Sequence, residues 1–98
     1  MGSKAVIPAE AKPRLASKAR LRFDRRTERY LLLYPEKGLE LNPTAVDVVR
    51  LCTGEHTLAE IVARLTDKYP KQARAAIERD TLTLLLALAD RGLIGYEA

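Results

Sequence analysis

Residues 19–41 contain three short apolar or alternating stretches separated by polar turns, and this pattern constrains the fold more than any other feature. The polar residues "RRTE" separate "ARLRFD" from "RYLLLY", and "PEKG" then leads to "LEL". A four-residue loop at 25–28 and a turn at 35–38 place the same apolar side chains on one face, which a slip of one residue would invert. The sequence therefore predicts a three-stranded antiparallel meander with its third strand at an edge.

The two turns also predict which residues pair across the strands. The first hairpin pairs Phe23 with Tyr30, Leu21 with Leu32 and Ala19 with Tyr34, and the second pairs Tyr34 with Leu39 and Leu32 with Leu41. All of these side chains share the inward face. The outward face carries Arg20, Arg22, Leu31, Leu33 and Glu40.

Three helices are predicted after the sheet. Asn42 is a suitable N-cap with Pro43 at the first helical position, and Gly54 can close that helix. The capping box "TLAE" begins a second helix at Thr57, which ends near residues 69–70. A third helix spans about residues 72–91 and ends at Gly92. Its inner stripe contains Ile77, Thr81, Leu84, Leu85 and Leu88, with Leu82, Leu86 and Ala89 beside it.

These elements predict an α+β fold that is winged-helix-like, with the three-stranded meander followed by three helices. Residues 1–18 contain two prolines and no apolar period, which predicts a mobile N-terminal tail. Residues 19–96 then form one domain. The closing "GLIGYE" fits either a short strand or irregular packing.

Composition excludes several classes of protein. No apolar run approaches the roughly 20 residues that span a bilayer, and the start of the chain is not typical of a secretory signal. A single cysteine precludes an internal disulfide and favours a reducing, cytoplasmic setting. Cys52 falls at a core position of the first helix, and His56 lies in a turn without ligand-spaced partners. The sequence predicts no catalytic residues, no metal site and no cofactor.

The net charge of +4 raises the question of nucleic-acid binding. Residues 1–18 and 19–38 each carry +3, whereas residues 39–98 carry −2. A DNA-binding winged helix is therefore an alternative function, with Lys71, Gln72 and Arg74 at the start of the reading helix. The acidic balance of the helical half argues against it.

Two surfaces invite a partner protein or peptide instead. The segment 39–41 forms an edge without lysine or proline, beside a wide apolar helix, which is an arrangement that captures extended peptides. Leu31 and Leu33 face outward between two arginines. Either the N-terminal tail covers these leucines or they contact a partner.

Three segments, "LLYPEKGLELN", "HTLAEI" and "LADRGLI", follow one another in this order along the chain. With them, residues 14–96 resemble the PqqD family, the peptide chaperones of pyrroloquinoline quinone (PQQ) biosynthesis. The resemblance implies a non-catalytic RiPP recognition element (RiPPs are ribosomally made, modified peptides). Such a protein binds the PQQ precursor peptide as an added strand. It presents the peptide to a radical S-adenosylmethionine (SAM) enzyme, which cross-links a Glu and a Tyr.

The resemblance also implies where the peptide lies, between the third strand and the third helix. The matching positions are Gly38, Leu39, Glu40, Leu41, Asn42, Ile77, Asp80, Thr81, Leu84, Leu85 and Leu88. Arg74, Arg79 and Arg91 are expected at the rim on charge alone. We expect the enzyme to dock on the outward face at Arg20, Arg22, Leu31 and Leu33, and we favour a monomer over a dimer.

Overall fold

A computed structural model describes residues 7–35 and 37–96 of the chain. Its elements are β1 (Arg14–Leu15), β2 (Arg20–Asp24), β3 (Arg29–Tyr34), β4 (Lys37–Leu41), α1 (Pro43–Leu51), α2 (Leu58–Lys68), α3 (Arg74–Asp90) and β5 (Ile94–Gly95). The antiparallel order β2-β3-β4, followed by three helices, confirms the predicted α+β fold. No helix within the described ranges has the length and apolar character that crossing a membrane requires.

The first hairpin has the predicted register. Leu21 pairs with Leu32 and Phe23 with Tyr30. Leu32 is completely buried, whereas Phe23 at the end of the sheet is 45% exposed. The inward face is therefore correct, but its outermost aromatic residue is only partly covered.

The predicted register of the second hairpin is wrong by two residues. Leu32 pairs with Leu39 and Tyr34 with Lys37, so β4 starts at Lys37 rather than at Leu39. Gly38 belongs to the strand because it makes room for its cross-strand neighbour: a Cβ at Gly38 would lie only 3.1 Å from Leu33 Cδ2. A shift of two residues leaves every side chain on its predicted face, since side chains alternate with a period of two.

Side-chain caps define the starts of α1 and α2. The Asn42 side-chain oxygen accepts a hydrogen bond from the Ala45 N–H at 2.8 Å, and Pro43 is the first helical residue. In α2, Thr57 Oγ1 accepts from the Glu60 N–H at 3.0 Å, while Glu60 Oε1 accepts from the Thr57 N–H at 2.7 Å. The hydrogen bond from the Thr57 backbone lowers the pKa of Glu60. Both predicted caps are confirmed.

Glycine ends α3 as predicted. Gly92 has a φ of +71° and donates its N–H to Ala89 at 3.0 Å, and Leu93 donates to Leu88 at 2.8 Å. This pair of bonds is the Schellman motif, and it turns the fully buried Leu93 back into the core. Gly54 also has a positive φ, of 84°, but it lies beyond the C-cap of α1 at Cys52 rather than closing that helix.

The predicted tail is wrong for residues 7–18, which pack into the domain; residues 1–6 lie outside the described residues. Ile7 and Ala11 are buried in the core. The carbonyls of Ala11 and Ala9 accept hydrogen bonds from the N–H groups of Leu58 and Ala59, two donors that the first turn of α2 cannot satisfy internally. The domain therefore begins well before residue 19.

The last described residues return to this segment. Leu15 pairs with Ile94 and Arg14 with Gly95, so the closing stretch is the strand β5 and pairs with β1. The Ala16 N–H adds a hydrogen bond to the Leu93 carbonyl at 2.7 Å. The two ends of the domain are thus held together on the helical side, away from β4.

Deleting residues 1–18 is predicted to lower the free energy of unfolding by at least about 3 kcal/mol. The deletion uncovers the site of Ile7, whose burial contributes about 1.5–3 kcal/mol, and it removes the hydrogen bonds to α2 and Leu93. Urea denaturation measures the change. A chain that starts at residue 7 keeps every described contact and is the control; equal midpoints for the two truncations would contradict the prediction.

Candidate functional site

A groove of about 610 Å³ lies between the edge strand β4, the start of α1 and one face of α3. Strand β4 and the residue after it form one wall, and α3 forms the other. The lining residues are Leu39, Glu40, Leu41, Asn42, Thr44, Ala45, Val48, Gln72, Ile77, Asp80, Thr81, Thr83, Leu84, Ala87 and Arg91. The groove has aliphatic walls, with the charged groups of Glu40, Asp80 and Arg91 among its lining.

The structure brings most of the predicted site residues together here. Eight of the eleven line the groove: Leu39, Glu40, Leu41, Asn42, Ile77, Asp80, Thr81 and Leu84. Leu85 and Leu88 instead face the core and are completely buried. Gly38 lies on β4 outside the lining. Of the three arginines expected at the rim, Arg91 lines the groove, whereas Arg74 and Arg79 do not.

The sequence-based prediction missed the contribution of α1. Ala45 and Val48 were not expected in the site, yet both line the groove, with Thr44 beside them. On α3 the prediction missed Ala87 and Thr83. Helical spacing could have identified Ala87, because Asp80, Leu84, Ala87 and Arg91 recur at intervals of four, three and four residues and so share one face.

Hydrogen-bond alternation determines which backbone groups of β4 are free. In an antiparallel pair, hydrogen-bonded and non-hydrogen-bonded residue pairs alternate. Tyr34 and Lys37 close a two-residue loop and form a bonded pair, so Leu39 and Leu41 also bond to β3. Gly38 and Glu40 therefore direct their N–H and C=O groups away from β3, toward the open edge.

The first hairpin gives the same result independently. Asp24 and Arg29 close its four-residue loop, which makes the Arg22–Leu31 and Arg20–Leu33 pairs the bonded ones. Residues 29, 31 and 33 of β3 thus bond to β2, and residues 30, 32 and 34 bond to β4. Each residue of the central strand serves one neighbour.

Charged groups near the groove have local partners. The Glu40 carboxylate forms an ion pair with Arg29, and Asp80 accepts a hydrogen bond from Arg79 Nε at 3.3 Å. Both pairs are exposed, where such contacts contribute little to stability. Arg91 uses one nitrogen to donate to the Ala87 carbonyl at 3.1 Å. Arg91 therefore places a positive charge at the groove, with guanidinium N–H groups besides the one that bonds to Ala87.

The outward face of the sheet carries the four residues expected to dock a partner. Arg22 lies opposite Leu31 and Arg20 opposite Leu33, with both arginines exposed and both leucines half-buried. The described part of the N-terminal segment hydrogen-bonds to α2, Cys52, Gly54 and Leu93, not to this face. The backbone hydrogen bonds of residues 7–18 thus hold this segment to other parts of the domain than the outward face.

A second groove, of about 720 Å³, shares Glu40, Leu41 and Asn42 with the first and extends toward β2 and β3. Phe23 and Tyr30 meet there with ring centroids 5.0 Å apart, and Arg50 lies over the Tyr30 ring and donates to its hydroxyl. On the opposite wall Asp47 accepts hydrogen bonds from Lys68 and from the Tyr69 hydroxyl. This cluster joins α1 to the end of α2.

The structure offers no obvious catalytic group among the residues it describes. Burial raises the pKa of the Cys52 thiol to about 12, which keeps it neutral and unreactive. No three His, Cys, Asp or Glu side chains converge within the described ranges in a way that could hold a metal ion.

Comparisons with known proteins identify the family of this chain. A family model described as "Coenzyme PQQ synthesis protein D (PqqD)" matches residues 29–94. This chain belongs to the PqqD family. A relative from Rhodopseudomonas palustris (strain BisB5) named "PqqA binding protein" is 36% identical over 95 residues, which cover 96% of this chain and 92% of the relative.

Two further PqqD relatives show the length of chain in which this domain occurs. The solution NMR structure of the PqqD truncation of Methylobacterium extorquens PqqCD, described as a functional, stand-alone RiPP recognition element, matches with a TM-score of 0.76 and 33% identity, over 92% of this chain and 95% of that one. A "Bifunctional coenzyme PQQ synthesis protein C/D" of Methylorubrum extorquens is 37% identical over 84% of this chain but only 22% of its own length. The PqqD fold thus occurs both alone and within longer chains.

Asp47→Asn is predicted to lower the free energy of unfolding by about 1 kcal/mol at neutral pH. Burial would raise the pKa of Asp47, but the hydrogen bonds from Tyr69 and Lys68 and the nearby cations hold it below its ordinary 3.8. A depressed folded-state pKa stabilises the protein above the unfolded pKa, and this contribution is lost as the pH falls through the folded value.

The difference in the free energy of unfolding between wild-type protein and Asp47→Asn should therefore shrink once the pH falls below 3.8. Urea denaturation at pH 7 and below 3.8 measures it, with the exposed Asp67→Asn as the control. A difference that persists unchanged in acid would contradict the role of the ionised carboxylate.

Proposed function

We propose that this chain binds PqqA, the precursor peptide of PQQ biosynthesis, as an additional strand on β4. Family membership and the relative named for PqqA binding support the choice of peptide. The free edge beside an apolar groove supports the mode of binding. The observation that carries the proposal is the register of β4 on β3, which leaves the backbone N–H and C=O groups of Gly38 and Glu40 directed toward the open edge of the sheet.

Backbone pairing supplies affinity without selecting a sequence. An incoming strand can bond to the N–H and C=O groups of Gly38 and Glu40 in the plane of the sheet. Its alternate side chains then point toward the groove, between Leu39 and Leu41 on one side and α3 on the other. Selectivity for PqqA would come from how these side chains fit against Ile77 and Leu84.

Arg91 supplies a charge-dependent contact at the groove. Its guanidinium is exposed and keeps donors beyond the one that bonds to Ala87. An acidic residue of the peptide at that point would form a charge-assisted hydrogen bond, which is stronger than a neutral one. Arg74 and Arg79 do not line the groove and contribute at most to long-range attraction.

The bound peptide would remain accessible to a modifying enzyme. We propose that this protein is not itself a catalyst and that it presents PqqA, as a monomer in the cytoplasm, to a radical SAM enzyme that cross-links a Glu and a Tyr. The outward face at Arg20, Arg22, Leu31 and Leu33 is our proposed docking surface. It lies on the other side of the sheet from the groove, so the enzyme and the peptide would not compete.

DNA binding is the alternative function, and titrations with PqqA and with duplex DNA distinguish the two. The sheet followed by three helices permits it, but α3 is mostly aliphatic and the residues from 39 onward carry a net negative charge. Under the proposal, PqqA shifts the backbone amide resonances of residues 38–42 and 77–91. If those resonances do not shift on adding PqqA, and the protein instead binds duplex DNA with a steep salt dependence, the proposal of peptide binding is wrong.

Glu40→Pro is predicted to weaken PqqA binding about tenfold relative to Glu40→Ala. Both substitutions remove the ion pair with Arg29, but only proline removes the N–H that faces the open edge. Proline is tolerated at an edge when its nitrogen faces solvent, so the domain should stay folded. Isothermal titration with PqqA gives the ratio, and circular dichroism checks the fold.

Leu41→Pro serves as the structural contrast. Its amide belongs to a bonded pair with Tyr30, so its loss should destabilise the sheet itself. Equal PqqA affinities for folded Glu40→Pro and Glu40→Ala would rule out strand addition at this position.

Leu33→Glu is predicted to reduce binding of the radical SAM enzyme at least tenfold while leaving PqqA affinity within about twofold. The substitution places a carboxylate in the proposed docking surface, where burial of an unpaired charge is costly. Titration of the enzyme against the protein–PqqA complex measures the effect. Asp67→Asn, an exposed change on α2, is the control, and loss of PqqA affinity in Leu33→Glu would contradict the separation of the two faces.

A further inference from the structure

Thr81 carries a buried hydroxyl without a hydrogen-bond partner. The residue is 2% exposed and its Oγ1 is the buried side-chain oxygen or nitrogen that has no partner among the described residues. Another threonine shows the usual arrangement: Thr66 Oγ1 on α2 donates to the Val62 carbonyl, four residues earlier, at 2.8 Å. Thr81 could satisfy itself in the same way on α3 but does not.

An unsatisfied buried hydroxyl is costly. Leaving such a group without a partner loses its hydration without replacing it, and a valine at the same place would avoid that penalty. Nothing in the core requires a polar group here, because the buried neighbours on α3 are Ile77, Leu85 and Leu88. The hydroxyl is therefore a poor choice for the unbound domain taken alone.

The position of Thr81 suggests what the hydroxyl is for. Thr81 lines the groove beside β4, where its neighbours in the lining include Val48, Ile77 and Leu84. A strand added to β4 keeps its backbone in the plane of the sheet and projects alternate side chains from the face. Thr81 lies behind that face on α3, so a side chain of the added strand is the group best placed to meet it.

The surroundings also restrict the chemistry of that side chain. An aliphatic site penalises a charged group that has only one hydroxyl to pair with. It strengthens a hydrogen bond between neutral groups, because water does not compete there. A hydroxyl or a carboxamide fits both conditions.

We propose that Thr81 is a specificity-determining residue whose hydroxyl hydrogen-bonds to an uncharged polar side chain, Ser, Thr, Asn or Gln, of the strand bound on β4. This inference rests on the proposed function, since PqqA is the strand in question. It adds a polar subsite within the groove. The subsite discriminates because an apolar side chain at that peptide position would leave the Thr81 hydroxyl buried and unpaired.

The test uses Thr81→Val, which keeps the shape of the side chain and removes the hydroxyl. We expect about tenfold weaker PqqA binding, together with a urea midpoint that is unchanged or higher than that of the wild-type protein. Thr81→Ser restores the hydroxyl and should recover most of the affinity. Thr66→Val makes the same chemical change outside the groove and should leave PqqA affinity unchanged.

A double-mutant cycle then identifies the peptide partner. Each Ser, Thr, Asn or Gln of PqqA is replaced by alanine and titrated against wild-type protein and Thr81→Val. The alanine peptide that lacks the partner side chain should bind the two proteins equally, because it can no longer form the hydrogen bond to Thr81. If every alanine peptide still discriminates between the two proteins, Thr81 does not contact a polar side chain and the inference is wrong.

The remaining outcomes separate the two proposals. Equal PqqA affinities for wild-type protein and Thr81→Val would overturn this inference and leave the proposed function standing. A lower urea midpoint for Thr81→Val would show that the hydroxyl supports the fold, which also overturns it. If wild-type protein does not bind PqqA at all, the proposed function fails and this inference fails with it.

Discussion

The alternation of hydrogen bonds along β3 is the constraint on which the rest of the structure depends. Each residue of this strand bonds to one neighbour only, so residues 29, 31 and 33 hold β2 and residues 30, 32 and 34 hold β4. The same period of two buries Leu32 and turns Leu31 and Leu33 outward. One geometric rule thus produces a buried face, a leucine-containing outer face and the unpaired groups at Gly38 and Glu40.

The sheet has two edges, and the groove that contains most of the predicted site residues adjoins β4. β2 lies at the far edge, where Arg20 and Arg22 are exposed and where charged residues discourage strand pairing. β4 lies beside α1 and α3, so a strand added there gains an aliphatic wall as well as backbone bonds. Residues 7–18 pair with β5 and with the first turn of α2, and none of them lines the groove. These placements together favour β4 as the site for a second chain.

The sequence predicted the faces of the elements better than their ends. Helix caps at Asn42, Thr57 and Gly92 were predictable because each depends on one residue and its near neighbours. The β3–β4 register was not, because the fit between Gly38 and Leu33 across the hairpin decides it. The packing of residues 7–18 was missed for a different reason.

Residues 7–18 are held partly by hydrogen bonds of their backbone N–H and C=O groups, which leave no side-chain pattern in the sequence. In the site, too, local features were predictable and packing between elements was not. Asp80 and Leu84 could be placed by helical period, whereas the entry of Ala45 and Val48 into the groove depends on how α1 crosses α3.

The groove combines groups that the domain by itself leaves incomplete. Gly38 and Glu40 have backbone donors and acceptors that face away from the sheet, and Thr81 has a buried hydroxyl without a partner. The two cases differ physically, because water can satisfy the exposed edge in the unbound protein, whereas the Thr81 side chain is only 2% exposed and gains a partner only when a peptide side chain enters between β4 and α3. Edge bonds therefore exchange with water and give modest net affinity for any extended chain. A peptide that also satisfies Thr81 relieves a cost that the free domain cannot avoid, so the buried hydroxyl can discriminate between sequences where the edge alone cannot.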